Sequence, residues 1–254
     1  MSAGGSLLSV DGLSVSFGAR GPAVVRDVGF DVGAGEVVAL VGESGSGKST
    51  VALSIMGLFD PGSARVDGRI RLRRKNGDHA ELTRLPEREM RRVRGNDVAM
   101  IFQEPMASLD PIYRAGDQIA EAIAAQRRGP SAERMAEAVR LLRILGVPSP
   151  ERTAQRFPHE LSGGMRQRVM IAMAISCQPK LLVADEPTTA LDVTIQAQII
   201  DELRSLQRQT GMAILFITHD LGLVAEIADR VLVMYAGRIV ESGPVREVFA
   251  APCM

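Results

Sequence analysis

Near its amino terminus the chain alternates apolar and polar residues. Leu7 to Phe17 keeps a period of two, and Val24 to Val32 keeps it more loosely, which predicts antiparallel strands with one face in a core and the other in water. Val37 to Val41 has no polar position and stops at Gly42, the pattern of a strand covered on both faces. Lys180 to Ala184, Ala213 to Thr218 and Arg230 to Met234 are similar runs, each beside a stretch of helical spacing. A small antiparallel sheet followed by buried strands that alternate with helices predicts an α/β fold with a largely parallel sheet. From Pro111 to Gln178 the period becomes helical, over Ile119 to Gln126, Ala132 to Leu145 and Gly163 to Ser176, with breaks at Gly129 and Pro130 and at Pro148 to Pro150. These helices predict a lobe inserted between core strands, and Pro244 to Met254 reads as a short tail.

The most basic stretch runs from Ala64 to Arg94. Its Arg69, Arg71 and Arg73 recur at period two, and Asn76 with Gly77 forms a strong hairpin signal. Arginines on alternate positions of a strand are most simply a solvated face, and a nucleic-acid platform would need aromatics that this stretch lacks. The 254 residues carry 30 Lys plus Arg against 30 Asp plus Glu, so no whole-molecule field holds the chain on DNA or on an anionic membrane. No nucleic-acid partner is expected. Cys177 and Cys253 have neither metal-ligand spacing nor the density of a disulfide scaffold, and they read as free thiols of a reducing compartment. Met1 to Ser9 lacks an export signal, and no run approaches the roughly 20 apolar residues of a membrane-spanning helix. If the protein serves a membrane, it is expected to dock on membrane proteins.

The chemistry concentrates in a few short runs. Gly42, Glu43, Ser44, Gly45, Ser46, Gly47, Lys48, Ser49 and Thr50 fit the P-loop pattern between a buried strand and a helical run. Glycines let the backbone curl so that its amides point inward at phosphate oxygens, and the helix start adds its dipole. Lys48 is expected to reach the β and γ phosphates of ATP, and the Ser49 hydroxyl to coordinate the magnesium ion they bring. Asp185 and Glu186 close a hydrophobic run, where open α/β sheets place their ligands. Because adjacent strand positions face opposite ways, Asp185 is expected to serve the metal and Glu186 to take a proton from the attacking water. His219 closes another apolar strand, where a histidine is either a satisfied polar residue or one that bonds the γ phosphate. Leu161, Ser162, Gly163, Gly164, Met165, Arg166 and Gln167 lie far downstream of the P-loop. Ser162 is a natural cap, and Gly163 and Gly164 bare the amides of the following helix, making a second anion site on one chain. Its distance in sequence suggests a face that closes over a nucleotide held by another molecule.

Together these residues resemble the ABC ATPases over essentially the whole chain. The resemblance implies a RecA-like P-loop NTPase core, an N-terminal antiparallel β subdomain and an inserted helical subdomain. It implies one domain, with residues 1–103 and 179–247 forming the β subdomain and core, 104–178 the helical signature subdomain and 248–254 a short tail. By that resemblance Gly42 to Thr50 is Walker A, Asp185 with Glu186 ends Walker B, and Leu161 to Gln167 is the signature motif. Ala190, Leu191 and Asp192 are then the D-loop, His219 the switch histidine, and Gln103 the Q-loop glutamine that touches magnesium or the water. Phe17 occupies the place of the aromatic that stacks on adenine, although a strand phenylalanine serves equally well in a core.

The runs Phe157 to Ala172 and Gln103 to Pro111 resemble the dipeptide, oligopeptide and nickel importer branch. That implies a second ABC ATPase subunit, most often a nonidentical one, two transmembrane permeases, and an external solute-binding protein acting indirectly. Such a chain would sit peripherally on the cytoplasmic face of the cell membrane. Nickel or another small solute remains an alternative cargo. So does a non-transport ABC ATPase acting on a soluble or nucleic-acid partner, although long coiled-coil inserts are missing. Members of the branch usually continue past a residue such as Pro252, so the chain is either a short form or one cassette of a longer protein.

Overall fold

The computed structural model describes residues 5–18, 21–60, 62–103, 109–127, 129–188 and 191–250. Ala190 of the Ala190 to Asp192 run, Glu104 to Ser108, Pro252 and Cys253 lie outside the described residues.

The chain opens with β1 (Leu8–Phe17) and β2 (Ala23–Val32), then β3 (Val37–Val41), helix α1 (Lys48–Met56), β4 (Ala64–Arg73), β5 (His79–Glu81), α2 (Glu87–Val93) and β6 (Val98–Ile101). Four helices follow: α3 (Ala115–Gln126), α4 (Ser131–Ile144), α5 (Pro150–Ala154) and α6 (Gly163–Ile175). The remainder is β7 (Leu181–Asp185), α7 (Val193–Thr210), β8 (Ala213–Thr218), α8 (Leu221–Ile227), β9 (Arg230–Tyr235), β10 (Arg238–Pro244) and α9 (Val245–Ala250).

Two sheets result. The antiparallel one has the order β2-β1-β4-β5, and the other β10-β9-β3-β8-β7-β6, parallel except for β10. The helices α3 to α6 are inserted in sequence between β6 and β7, which are neighbours in the second sheet. The continuous apolar runs follow from burial on both faces. In β8, Leu215 and Ile217 join the core shared with the first sheet and α1, while Ile214 and Phe216 join the core under the helices. In β1 the buried positions pass from Leu8 and Val10 to Leu13 and Val15 across a register shift. That bulge contains Gly12 at φ +60°, and the extra residue restores the inward face after Asp11.

The structure departs from the sequence pattern at the end. Residues 245–250 form α9 rather than a loose tail, and Val245 and Val248 are buried against Val41, Val224 and Val231. A single apolar pair one turn apart is too little to register as periodicity. Arg69 and Arg71 are exposed as expected, but Arg73 is only half-exposed.

Candidate functional site

The loop after β3 follows a path that only glycine permits. An added Cβ at Gly42 would lie 2.1 Å from the Met234 carbonyl oxygen, and one at Gly47 (φ +108°) would lie 2.9 Å from Met234 Cε and 3.2 Å from the Val24 carbonyl oxygen. Gly47 caps α1, with no side chain satisfying the first-turn amides, so these donors are left for a ligand. Lys48 folds back over the loop, its Nζ donating to the carbonyls of Gly42 and Glu43 at 2.8 Å each. Burial holds its ammonium below the ordinary lysine range, an effect that Glu186 and Asp185 partly oppose.

Asp185 ends β7 and is 4% exposed. Burial pushes its carboxyl above the usual aspartate range, against a hydrogen bond from Ser49. Its Oδ1 and the Ser46 hydroxyl are both buried without a hydrogen-bond partner. Such orphaned oxygens beside bare amides and an ammonium fit a phosphate with a hard cation.

Glu186 follows at φ +46°, an uncommon backbone for a side chain of that size. Its amide donates to the Ile217 carbonyl at 2.9 Å. Gln103 Nε2 donates to its Oε2 at 3.2 Å, and His219 Nδ1 lies 3.2 Å from its Oε1. Gln103 comes from the end of β6, Glu186 from β7 and His219 from β8, so three consecutive parallel strands deliver the three side chains at their carboxyl ends.

A cleft of about 200 Å³ is lined by Val24, Ser44, Gly45, Gly47, Lys48, Ser49, Thr50, Gln103 and Glu186. In the sequence Val24 is only a strand position, with no signal that separates it from other half-buried strand residues. Phe17 sits at the end of β1, 40% exposed and edge-on to Phe59 with ring centroids 5.7 Å apart. It does not line this cleft.

Nor do Ser162, Gly163, Gly164 and Asp192. Ser162 caps α6 and accepts from the Met165 amide at 3.3 Å, while Asp192 caps α7 and accepts from the Ile195 amide at 3.0 Å. The two caps adjoin, since an added Cβ at Gly164 would lie 2.9 Å from Ile195 Cγ2 and one at Gly163 would lie 3.5 Å from Leu191 Cδ2. Behind them Arg168 of α6 reaches Glu202 of α7 at 2.9 Å and Gln198 at 3.2 Å. No local pattern in the sequence announces this link.

The parallel sheet, with a glycine loop turning from β3 into α1 and carboxylates at the end of β7, defines a nucleotide-binding ATPase of the P-loop class. Residues 25–189 match the family model described as ABC transporter. The chain belongs to the ABC transporter family, as one of its ATPase subunits. It is 56% identical over 249 residues to a protein of Brucella melitensis named as a peptide import ATP-binding protein, spanning 97% of this chain and 74% of that one. It is 53% identical to the glutathione import ATP-binding protein GsiA of Salmonella typhimurium, spanning 97% of this chain but 40% of the relative.

Among solved structures, it superposes on a dimeric ATP-binding cassette in a post-hydrolysis state with ADP and Pi, at a TM-score of 0.81 and 26% identity, covering 94% of this chain and 99% of that one. It also matches cbiO1 from Clostridium perfringens, part of the ABC transporter complex cbiONQ, at a TM-score of 0.80 and 27% identity, covering 96% and 91%. No helix among the described residues is long and apolar enough to cross a membrane.

Proposed function

We propose that this chain hydrolyses ATP to drive the import of short peptides through a membrane transporter. The observation that carries the reading is identity above half, across nearly the whole chain, to relatives named for peptide and glutathione import. Residues 104–178 then act as the helical signature subdomain. Two permeases and a second ATPase subunit, most often nonidentical, complete the transporter on the cytoplasmic face of the membrane, and an external binding protein selects the solute.

In this reading the loop amides and Lys48 take the phosphates, the Lys48 ammonium exchanging its carbonyl acceptors for phosphate oxygens. Ser49, Asp185 and Gln103 would hold magnesium, which supplies positive charge to the phosphates when bound. Among the described residues no cluster of three or more His, Cys, Asp or Glu could hold a metal alone, which suits an ion that arrives with its phosphate ligands. Glu186 accepts the proton of the attacking water as its oxygen bonds to the γ phosphorus and the bond to ADP breaks. Gln103 and His219, bracketing that carboxylate at 3.2 Å on either side, orient it, and His219 turns toward the γ phosphate. Phe17 stacks on adenine. Ser162 to Gly164 and Asp192 act on the nucleotide of the facing subunit.

The test is uptake of a labelled tripeptide by cells whose only copy of the chain is wild type or Glu186→Gln. The substitution should lower uptake and ATP turnover by about a hundredfold or more, while ATP still binds. Peptide uptake at the wild-type rate in the variant would refute the reading.

A further inference from the structure

At the end of the parallel sheet opposite the nucleotide cleft, a cavity of about 480 Å³ lies before the amino ends of β7 and β8. Arg73, Lys75 and Lys180 line it, and no acidic residue does. In a chain whose charges otherwise balance, three cations around one void need a physical account.

Two are fixed in place by neutral acceptors. Lys75 Nζ donates to the Cys177 carbonyl at 2.7 Å and to Asn96 at 3.2 Å, and Lys180 Nζ donates to the Arg74 carbonyl at 3.1 Å. Each ammonium carries three donors, so both keep donor capacity beyond these bonds while lining the cavity. The Arg73 side chain makes no hydrogen bond or ion pair among the described residues, and its Nε is sealed from solvent.

The nearby carboxylates are already engaged. Asp97 takes Arg74 at 3.0 Å and the Lys75 amide at 2.8 Å. In the open cleft on the other side of Arg73, Glu36 and Asp31 pair with Arg230, and Asp229 accepts the Val37 amide. Burial holds the Lys75 ammonium below the ordinary lysine range, and the neighbouring charges of Arg127 and Lys180 push it the same way while Asp97 opposes them.

We propose that this cavity is a second anion site, taking the phosphate of a small phosphomonoester. An arginine fork with two ammonium point charges is the donor set that a doubly charged phosphate requires. Leu7 and Met212 also line the cavity and give its organic remainder an apolar surface.

Glycerol phosphate, titrated calorimetrically into the chain already saturated with ADP so that the P-loop is filled, tests this. The wild type should bind one equivalent, with an affinity that falls as salt rises. Arg73→Gln should weaken binding at least tenfold without changing ADP affinity and with little change in the unliganded melting temperature, because the guanidinium makes no hydrogen bond or ion pair to lose. Lys180→Gln should weaken it comparably. Absence of binding in the wild type, or equal binding by Arg73→Gln, overturns the proposal.

Discussion

Asp185 is held in an environment that its charged form does not favour. It is 4% exposed, and one of its oxygens has no partner. Burial raises its pKa above the ordinary aspartate value of 3.8 in the folded chain, so between that value and the raised one the native state binds more protons than the unfolded state. Stability therefore falls as pH rises through this window, and the penalty is complete once pH exceeds the raised value. In the chain free of nucleotide and metal, Asp185→Asn should raise the melting temperature at pH 7, with the gain vanishing below about pH 4, while ATP hydrolysis is lost. Thermal denaturation in a chelator across that range measures it, and a variant less stable than wild type at pH 7 contradicts the argument. The sequence displayed Asp185, Glu186 and His219 as residue types at strand ends, and Gln103 only through the family resemblance. It did not display the φ of +46° at Glu186, or the two 3.2 Å contacts that bracket its carboxylate, because these depend on how three strands separated in sequence are aligned.

At the level of elements, α6 and α7 are tied by more than apolar packing. The Arg168 and Glu202 side chains are 8% and 19% exposed, and burial pushes the Glu202 carboxyl up against the opposing effect of Arg168. Removing one member of such a pair leaves the other charge buried alone, so Arg168→Met should cost about 3 kcal/mol of stability. Replacing both residues with Met should recover most of that loss, since desolvation of the pair offsets much of its attraction. Urea denaturation of the single and double variants decides between this and a pair that contributes nothing. The sequence showed Arg168 only as part of a helical run, because no local pattern announces a partner on another helix. Long buried strands were legible for the opposite reason, since β3, β7 and β8 are buried at every position. The four-residue β6 and the edge strand β10, which is nowhere fully buried, gave too short or too weak a pattern. The six-residue α9, with two buried side chains, failed for the same reason.

For the whole molecule, the telling fact is the separation of two sets of residues that the sequence offered as two anion sites on one chain. The cleft holding Lys48, Ser49 and Glu186 is lined by none of Ser162, Gly163 or Gly164, yet those residues form a helix start whose Gly163 and Gly164 lie against Leu191 and against Ile195 of α7. A helix start shaped in this way and set apart from its own chain's nucleotide cleft can act on the nucleotide of a second subunit, and a superposable cassette is dimeric with ADP and Pi. If so, activity per chain should rise with concentration, and defects in the two places should complement each other. Lys48→Ala and Ser162→Arg chains should each be nearly inactive alone. An equimolar mixture should recover a substantial fraction of wild-type ATPase, because half the dimers formed at random pair one chain of each kind. Each of those mixed dimers contains one composite site with an intact Lys48 facing an intact Ser162, and one site carrying both defects. Steady-state phosphate release from the mixture is the measurement. No recovery, under conditions where the wild-type chain alone is active, would mean that loop and signature serve the same chain; a wild type inactive alone at every concentration would instead mean that the facing subunit must be a nonidentical ATPase.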